Sequence, residues 1–162
     1  MAAAVWGAQQ PLDKRAFASR YDDVELLGRA VTASRWYPVG FAIHVGNGAV
    51  FGAVYANVES ALPLPRPLRG PFLGLAEHVA LWPLGRLSDR LHPARDQLPR
   101  LHGNRAAFLQ ATWRHLLFGA VLGELERRAN PDGTRAEPPP VTDPSSNGHG
   151  SLEYAVSVQQ TD

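Results

Sequence analysis

The chain has 162 residues, with 16 Lys and Arg against 15 Asp and Glu, a net charge of +1. That balance excludes a nucleic-acid protein held by a strong basic field. There is no cysteine, so disulfides, thiolate nucleophiles and Cys-based metal sites are excluded as well.

In chain order, residues 2–8 (AAAVWGA) form a short apolar segment with no basic stretch before it. It is too short for a secretory signal and reads as the end of a longer apolar helix whose beginning is missing. Residues 11–36 carry both charge signs and predict a short amphipathic helix over 22–32, capped by Asp22 or Asp23. Residues 38–58 (PVGFAIHVGNGAVFGAVYANV) contain no charged residue and are long enough to span a hydrocarbon core of about 30 Å. Residues 59–69 hold three prolines and predict a stiff extended connection. A second apolar stretch, 70–87, has Glu77 and His78 near its middle. A third, 106–125, has Arg114 and His115 near its middle. Residues 86–105 between them, with five arginines and two prolines, read as a loop. Residues 130–162 are rich in Pro, Gly and Ser and predict a disordered tail. Within that tail, 151–160 alternate apolar and polar residues, as a strand or docking peptide would.

An internal repeat is visible. Phe-Gly-Ala-Val occurs at Phe51–Val54 and again at Phe118–Val121, with Glu59 matching Glu126. A fainter pair sets Ala4-Val5-Trp6 and Asp13-Lys14 against Ala80-Leu81-Trp82 and Asp89-Arg90. Two copies of one helix–loop–helix unit follow from this. The expected fold is therefore all-α: a membrane four-helix bundle built from two helix hairpins over residues 1–129, with a disordered C-terminal tail over 130–162.

Two patterns favour a bilayer over water. Small residues recur four apart at Gly48, Gly52 and Ala56, at Gly70 and Gly74, and at Gly119 and Gly123. In lipid such spacing lets helix backbones pack closely, whereas in water each helical glycine costs about 1 kcal/mol relative to alanine. Gly48, Gly52, Gly119 and Gly123 are the expected packing positions. Basic residues are also asymmetric. With alternating spans, one side receives Lys14, Arg15, Arg20, Arg29, Arg35, Arg86, Arg90, Arg95, Arg100 and Arg105. The other receives only Arg66, Arg69, Arg127, Arg128 and Arg135. This matches the positive-inside rule if the first and third connections are cytoplasmic.

Five segments between residues 5 and 126 carry a resemblance: VWGAQQPLDKR, YDDVELLGRAVT, IHVGNGAVFGAVYA, EHVALWPLGRLSDRLHPAR and LPRLHGNRAAFLQATWRHLLFGAVLGEL. The chain resembles a family of small bacterial, largely actinobacterial, multi-pass membrane proteins to which no activity is assigned. The resemblance implies a multi-pass topology in the cell membrane, with a first helix longer at its N-terminus than the segment here.

Ionisable residues within a bilayer are expensive and mark functional positions. The expected polar intramembrane centre is Glu77, His78, Arg114, His115, His44 and Asn47, with a Glu77–Arg114 ion pair offsetting the burial of both charges. Its functional reading is a proton relay or small-ion site; the structural reading, polar side chains orienting the helices, stands ahead of it. Trp36 reads as an interfacial anchor, Trp82 and Trp113 as packing residues, and His92, His102 and His149 as solvated. No HxxxH or ExxH spacing supports a metal, and no phosphate-binding or nucleophile motif supports a cofactor or an enzyme. The expectation is thus an integral membrane protein, a structural subunit or small transport-like element. Its partner is the lipid bilayer, with a homo-oligomer or another membrane protein as a further partner. The alternative is a soluble helical bundle binding a metal or small ligand through His and Glu.

Overall fold

The computed structural model describes residues 2–131, of which 2–8 as backbone alone. The chain divides into two units, Met1–Ala129 and Asn130–Asp162. The tail and the alternating segment expected beyond residue 131 lie outside the described residues.

Six α-helices make up the first unit, and the described residues include no strand. Helix α1, Ala2–Ala16, ends in Lys14 and Arg15, where cations offset the negative end of the helix dipole. Helix α2, Asp23–Val31, starts as expected: the Asp22 side chain accepts from the Glu25 backbone N–H at 3.2 Å, satisfying one of the first-turn donors. Helix α3, Trp36–Val58, is the long charge-free segment. A 3₁₀ turn, Glu59–Ala61, follows it. The proline-rich connection is shorter than expected, because α4, Arg66–Leu81, already begins within it. Pro67 sits in the first turn, where no N–H partner is required. A second 3₁₀ turn, Trp82–Leu84, leads into α5, Gly85–Leu91, so the expected arginine-rich loop opens with a helix. The remaining loop is tied down by Asp89, whose carboxylate accepts the backbone N–H groups of Leu101 and His102, each at 2.8 Å. Asn104 Oδ1 accepts from the Ala107 N–H at 3.0 Å and starts α6, Arg105–Ala129.

Helix α4 packs along α6 and α2 along α3, while α1 lies mainly on α6. The predicted hairpin of the N-terminal segment with the first long span is thus displaced: α2 takes the place beside α3. Glycines explain why. A β-carbon at Gly28 would strike the Trp36 carbonyl, and one at Gly40 the Val24 carbonyl. The α4–α6 contact is equally close. Gly70 and Gly119 each sit against the other's carbonyl, and Gly74 sits against the carbonyl of His115. Gly123 belongs to the same seam, near Tyr55 Oη and the Gly70 Cα. Gly48 and Gly52 differ from the expectation. They face the Phe118 ring and the Leu122 side chain at 3.7 and 3.9 Å, an ordinary contact distance that does not require glycine. The two Phe-Gly-Ala-Val motifs meet nearby, the Phe51 and Phe118 rings packing edge-on at 5.6 Å.

Among the described residues one helix, with its 3₁₀ extension (Trp36–Ala61), is long and apolar enough to cross a membrane. Only 11% of its most apolar stretch is buried. Tyr37, Phe41, Val45, Val50, Val54 and Val58 point outward along α3, and Leu68, Phe72 and Val79 do so along α4.

Candidate binding cavity

Arg114 is the largest fully buried side chain in the described structure, 2% exposed. Its position midway along α6 aims the guanidinium at α1 and α2, away from α4. Nε and Nη2 donate to the two oxygens of Asp13 at 2.6 and 2.9 Å, and Nη1 donates to Asp23 Oδ1 at 2.7 Å. The expected Glu77–Arg114 pair is therefore replaced. Asp13 holds the guanidinium through both carboxylate oxygens and Asp23 takes a third N–H, while Nη2 also reaches the Tyr21 carbonyl at 3.5 Å. Asp13 also accepts from Gln110 Nε2 and Gln9 Nε2, each at 2.8 Å. Gln110 is fully buried, and its Oε1 has no hydrogen-bond partner among the described residues. Asp22 extends the network at the surface, accepting from Lys14 Nζ and Gln10 Nε2 at 2.7 Å each.

Burial pushes the Asp23 carboxyl above its ordinary value, against the opposing pull of Arg114 and His44. The Tyr21 phenol is pushed up chiefly by the same desolvation, so it stays neutral. Its ring lies 5.8 Å from the Arg114 guanidinium carbon and adds a cation–π contact.

Beside this network lies a cavity of about 410 Å³ between α2, α3, α4, α5 and α6. The six residues expected to form the polar centre, His44, Asn47, Glu77, His78, Arg114 and His115, all line it, as does Asp23. Arg114 contributes to the wall while its donors are engaged by Asp13 and Asp23. His44 Nδ1 stands 3.6 Å from Asp23 Oδ2. Glu77 instead faces His115, with Oε2 and Nε2 3.9 Å apart. His115 Nδ1 lies 2.8 Å from the Ala111 carbonyl; a carbonyl only accepts, so this nitrogen carries the proton. The same logic fixes His78. Thr112 Oγ1 donates to the Phe108 carbonyl at 2.8 Å, so His78 Nε2, 3.0 Å from that hydroxyl, is the donor.

The rest of the wall is apolar and aromatic. His78 stacks among Phe108, His115 and Trp82, with ring centroids 4.8, 4.9 and 5.3 Å away. Tyr21 meets Trp82 edge-on at 6.3 Å. Trp82 packs as expected; Trp113 does not, being 46% exposed with Nε1 donating to Gln9 Oε1 at 3.0 Å. His92 is half-buried rather than solvated, its Nε2 lying 2.9 Å from the Leu26 carbonyl. His149 lies outside the described residues. Among the described residues, no three His, Asp or Glu side chains converge to hold a metal ion.

Sequence reasoning missed Asp13, Tyr21 and Gln110. For Asp13 the available signal was its one-turn spacing from Gln9, which puts the two polar side chains on one face of α1. Compared with protein-family models, curated proteins and solved structures, the chain matches none.

Proposed function

We propose that this chain is an integral membrane protein of the cell membrane whose helices enclose a binding cavity for a small molecule. In this reading α4 and α6 cross the bilayer beside α3. The observation that carries it is the inverted distribution of polarity. Helix α3 is charge-free, yet little of it is buried, and a soluble protein hides such a helix. Meanwhile Arg114 and Asp13, the most costly groups for a lipid environment, are turned inward and paired, as charges within membrane bundles are. Outward-facing Leu68, Phe72, Val79, Leu109 and Trp113 continue the apolar coat onto α4 and α6. Charged residues gather at the ends: Glu59 pairs with Arg69 at 2.7 Å, and Glu124 with Arg127 and Arg128 at 2.8 and 2.7 Å.

Alkaline carbonate extraction of membranes from cells producing the full chain tests this. The protein is expected in the pellet with integral proteins. Release into the soluble fraction removes the reading and restores the soluble-bundle alternative.

A further inference from the structure

We infer that the cavity takes an organic amine in its ammonium form, the nitrogen seated between Glu77 and His115 and an apolar or aromatic body lying against Trp82 and the two facing phenylalanines. This rests on the binding-cavity reading above and adds the chemical class of the ligand.

Three observations lead there. The first concerns charge. Arg114 is a cation in the cavity wall, but its Nε, Nη1 and Nη2 are all engaged by Asp13 and Asp23. The cluster therefore has no surplus positive charge in either protonation state of Asp23. Glu77 adds a carboxyl group to the same lining, with no arginine or lysine paired to it and His115 Nε2 3.9 Å away.

The second is an unbridged gap between two polar groups. The His115 Nδ1–H is committed to the Ala111 carbonyl, and its Nε2 stands 3.9 Å from Glu77 Oε2, too far for a hydrogen bond between them. A nitrogen with several N–H groups bridges that gap at about 2.8 Å from each, the usual charge-assisted distance. A water can bridge it too, but it leaves the carboxylate charge uncompensated. An anion or a donor-free ligand cannot bridge it at all.

The third is the remaining wall. Phe51 packs on Phe118, and Trp82 on Tyr21, within the lining. Aromatic rings favour cations and apolar bodies alike. A bare metal ion would leave most of a cavity of about 410 Å³ unfilled, whereas an arylalkyl amine occupies it.

The test uses the full chain in lipid nanodiscs, with empty nanodiscs as the partition control, and calorimetric titration at neutral pH. Three probes of matched shape separate the terms: 2-phenylethylamine, which is cationic, propylbenzene, its neutral isostere, and phenylacetate, an anion. The amine is expected to bind one to one, with the other two at least about ten-fold weaker. Glu77→Gln is expected to weaken the amine by about ten-fold or more while leaving propylbenzene unchanged, and Glu77→Asp to restore part of the loss. Phenylacetate binding as well as the amine, or a folded Glu77→Gln retaining full amine affinity, overturns the inference. Propylbenzene binding as well as the amine also overturns it but leaves the binding cavity standing. If none of the three binds, the cavity reading falls and the ammonium inference falls with it.

Discussion

Helix α6 is held in two opposite ways along its two sides. Toward α4 the closest approach is made by backbone: Gly70 and Gly119 meet backbone to backbone, and Gly74 meets the His115 carbonyl. Toward α1 and α2 the contact is a buried guanidinium clamped by two carboxylates. The glycine seam works by shape, through dispersion summed over many close atoms. The Arg114 clamp works by charge, and a buried charge is tolerated only while its partners are in place. The first surface tolerates no added atoms; the second tolerates no removed ones.

The largest expected effect breaks the charged side. Arg114→Met strands the Asp13 carboxylate, which is fully buried, and should destabilise the bundle by about 3–5 kcal/mol. Replacing Asp13 and Asp23 by Asn in the same chain should recover much of that loss, because no unpaired charge is then buried. Unfolding monitored by circular dichroism in mild detergent reads both. If Arg114→Met with Glu77→Gln recovers more than the aspartate variant does, Glu77 and not Asp13 is the true partner.

The next effect breaks the glycine side. Gly119→Ala puts a methyl group into the Gly70 carbonyl, and overpacking of this kind costs about 1–3 kcal/mol. The same unfolding measurement should show it as destabilising, although alanine is the better helix former. A stabilised variant would mean that α4 and α6 can separate at no cost, and that the seam does not hold them.

These two surfaces also divide what the sequence showed from what it hid. Helices α3, α4 and α6 were legible because apolar runs and small residues four apart are local patterns, and so was the Asp22 cap. Helix α5 was hidden by its length, since seven residues between Pro83 and Pro93 make barely two turns, too few for a period to stand out from the arginines around them. The polar residues of the cavity were legible as intrusions into apolar stretches, but their pairing was not. Asp13 and Arg114 lie 101 residues apart in the chain, and nothing local distinguishes Asp13 from Glu77 as the partner. Only the docking of α1 against α6 decides it. Gly28 and Gly40 were missed for a similar reason: each lies in a different helix, and their complementarity exists only once α2 folds back on α3.

A smaller effect probes where the charged side reaches the surface. Asp22→Ala removes the α2 cap and the acceptor for Lys14 and Gln10. Loss of such a cap costs about 1 kcal/mol, and the partly exposed Lys14 pair adds little. Urea titration should show a modest fall in midpoint with an unchanged slope. A loss as large as that of Arg114→Met would mean that α2 is what seats Asp23 on the guanidinium, making cap and clamp one cooperative unit.

The smallest expected effect has the opposite sign and sharpens the glycine side of the comparison. Gly48 belongs to the same small-residue pattern as Gly119, and by sequence the two are equivalent packing positions. In the structure they differ: a β-carbon at Gly48 would lie 3.7 Å from the edge of the Phe118 ring, a comfortable contact, whereas one at Gly119 would meet backbone. Gly48→Ala should therefore be neutral or stabilising by up to about 1 kcal/mol, since alanine is favoured in the helix and finds a ring to pack on. If Gly48→Ala instead destabilises as much as Gly119→Ala, then α3 approaches α6 as closely as α4 does. The small-residue pattern alone, with no reference to which neighbour each glycine meets, would then have been sufficient to find the packing surfaces.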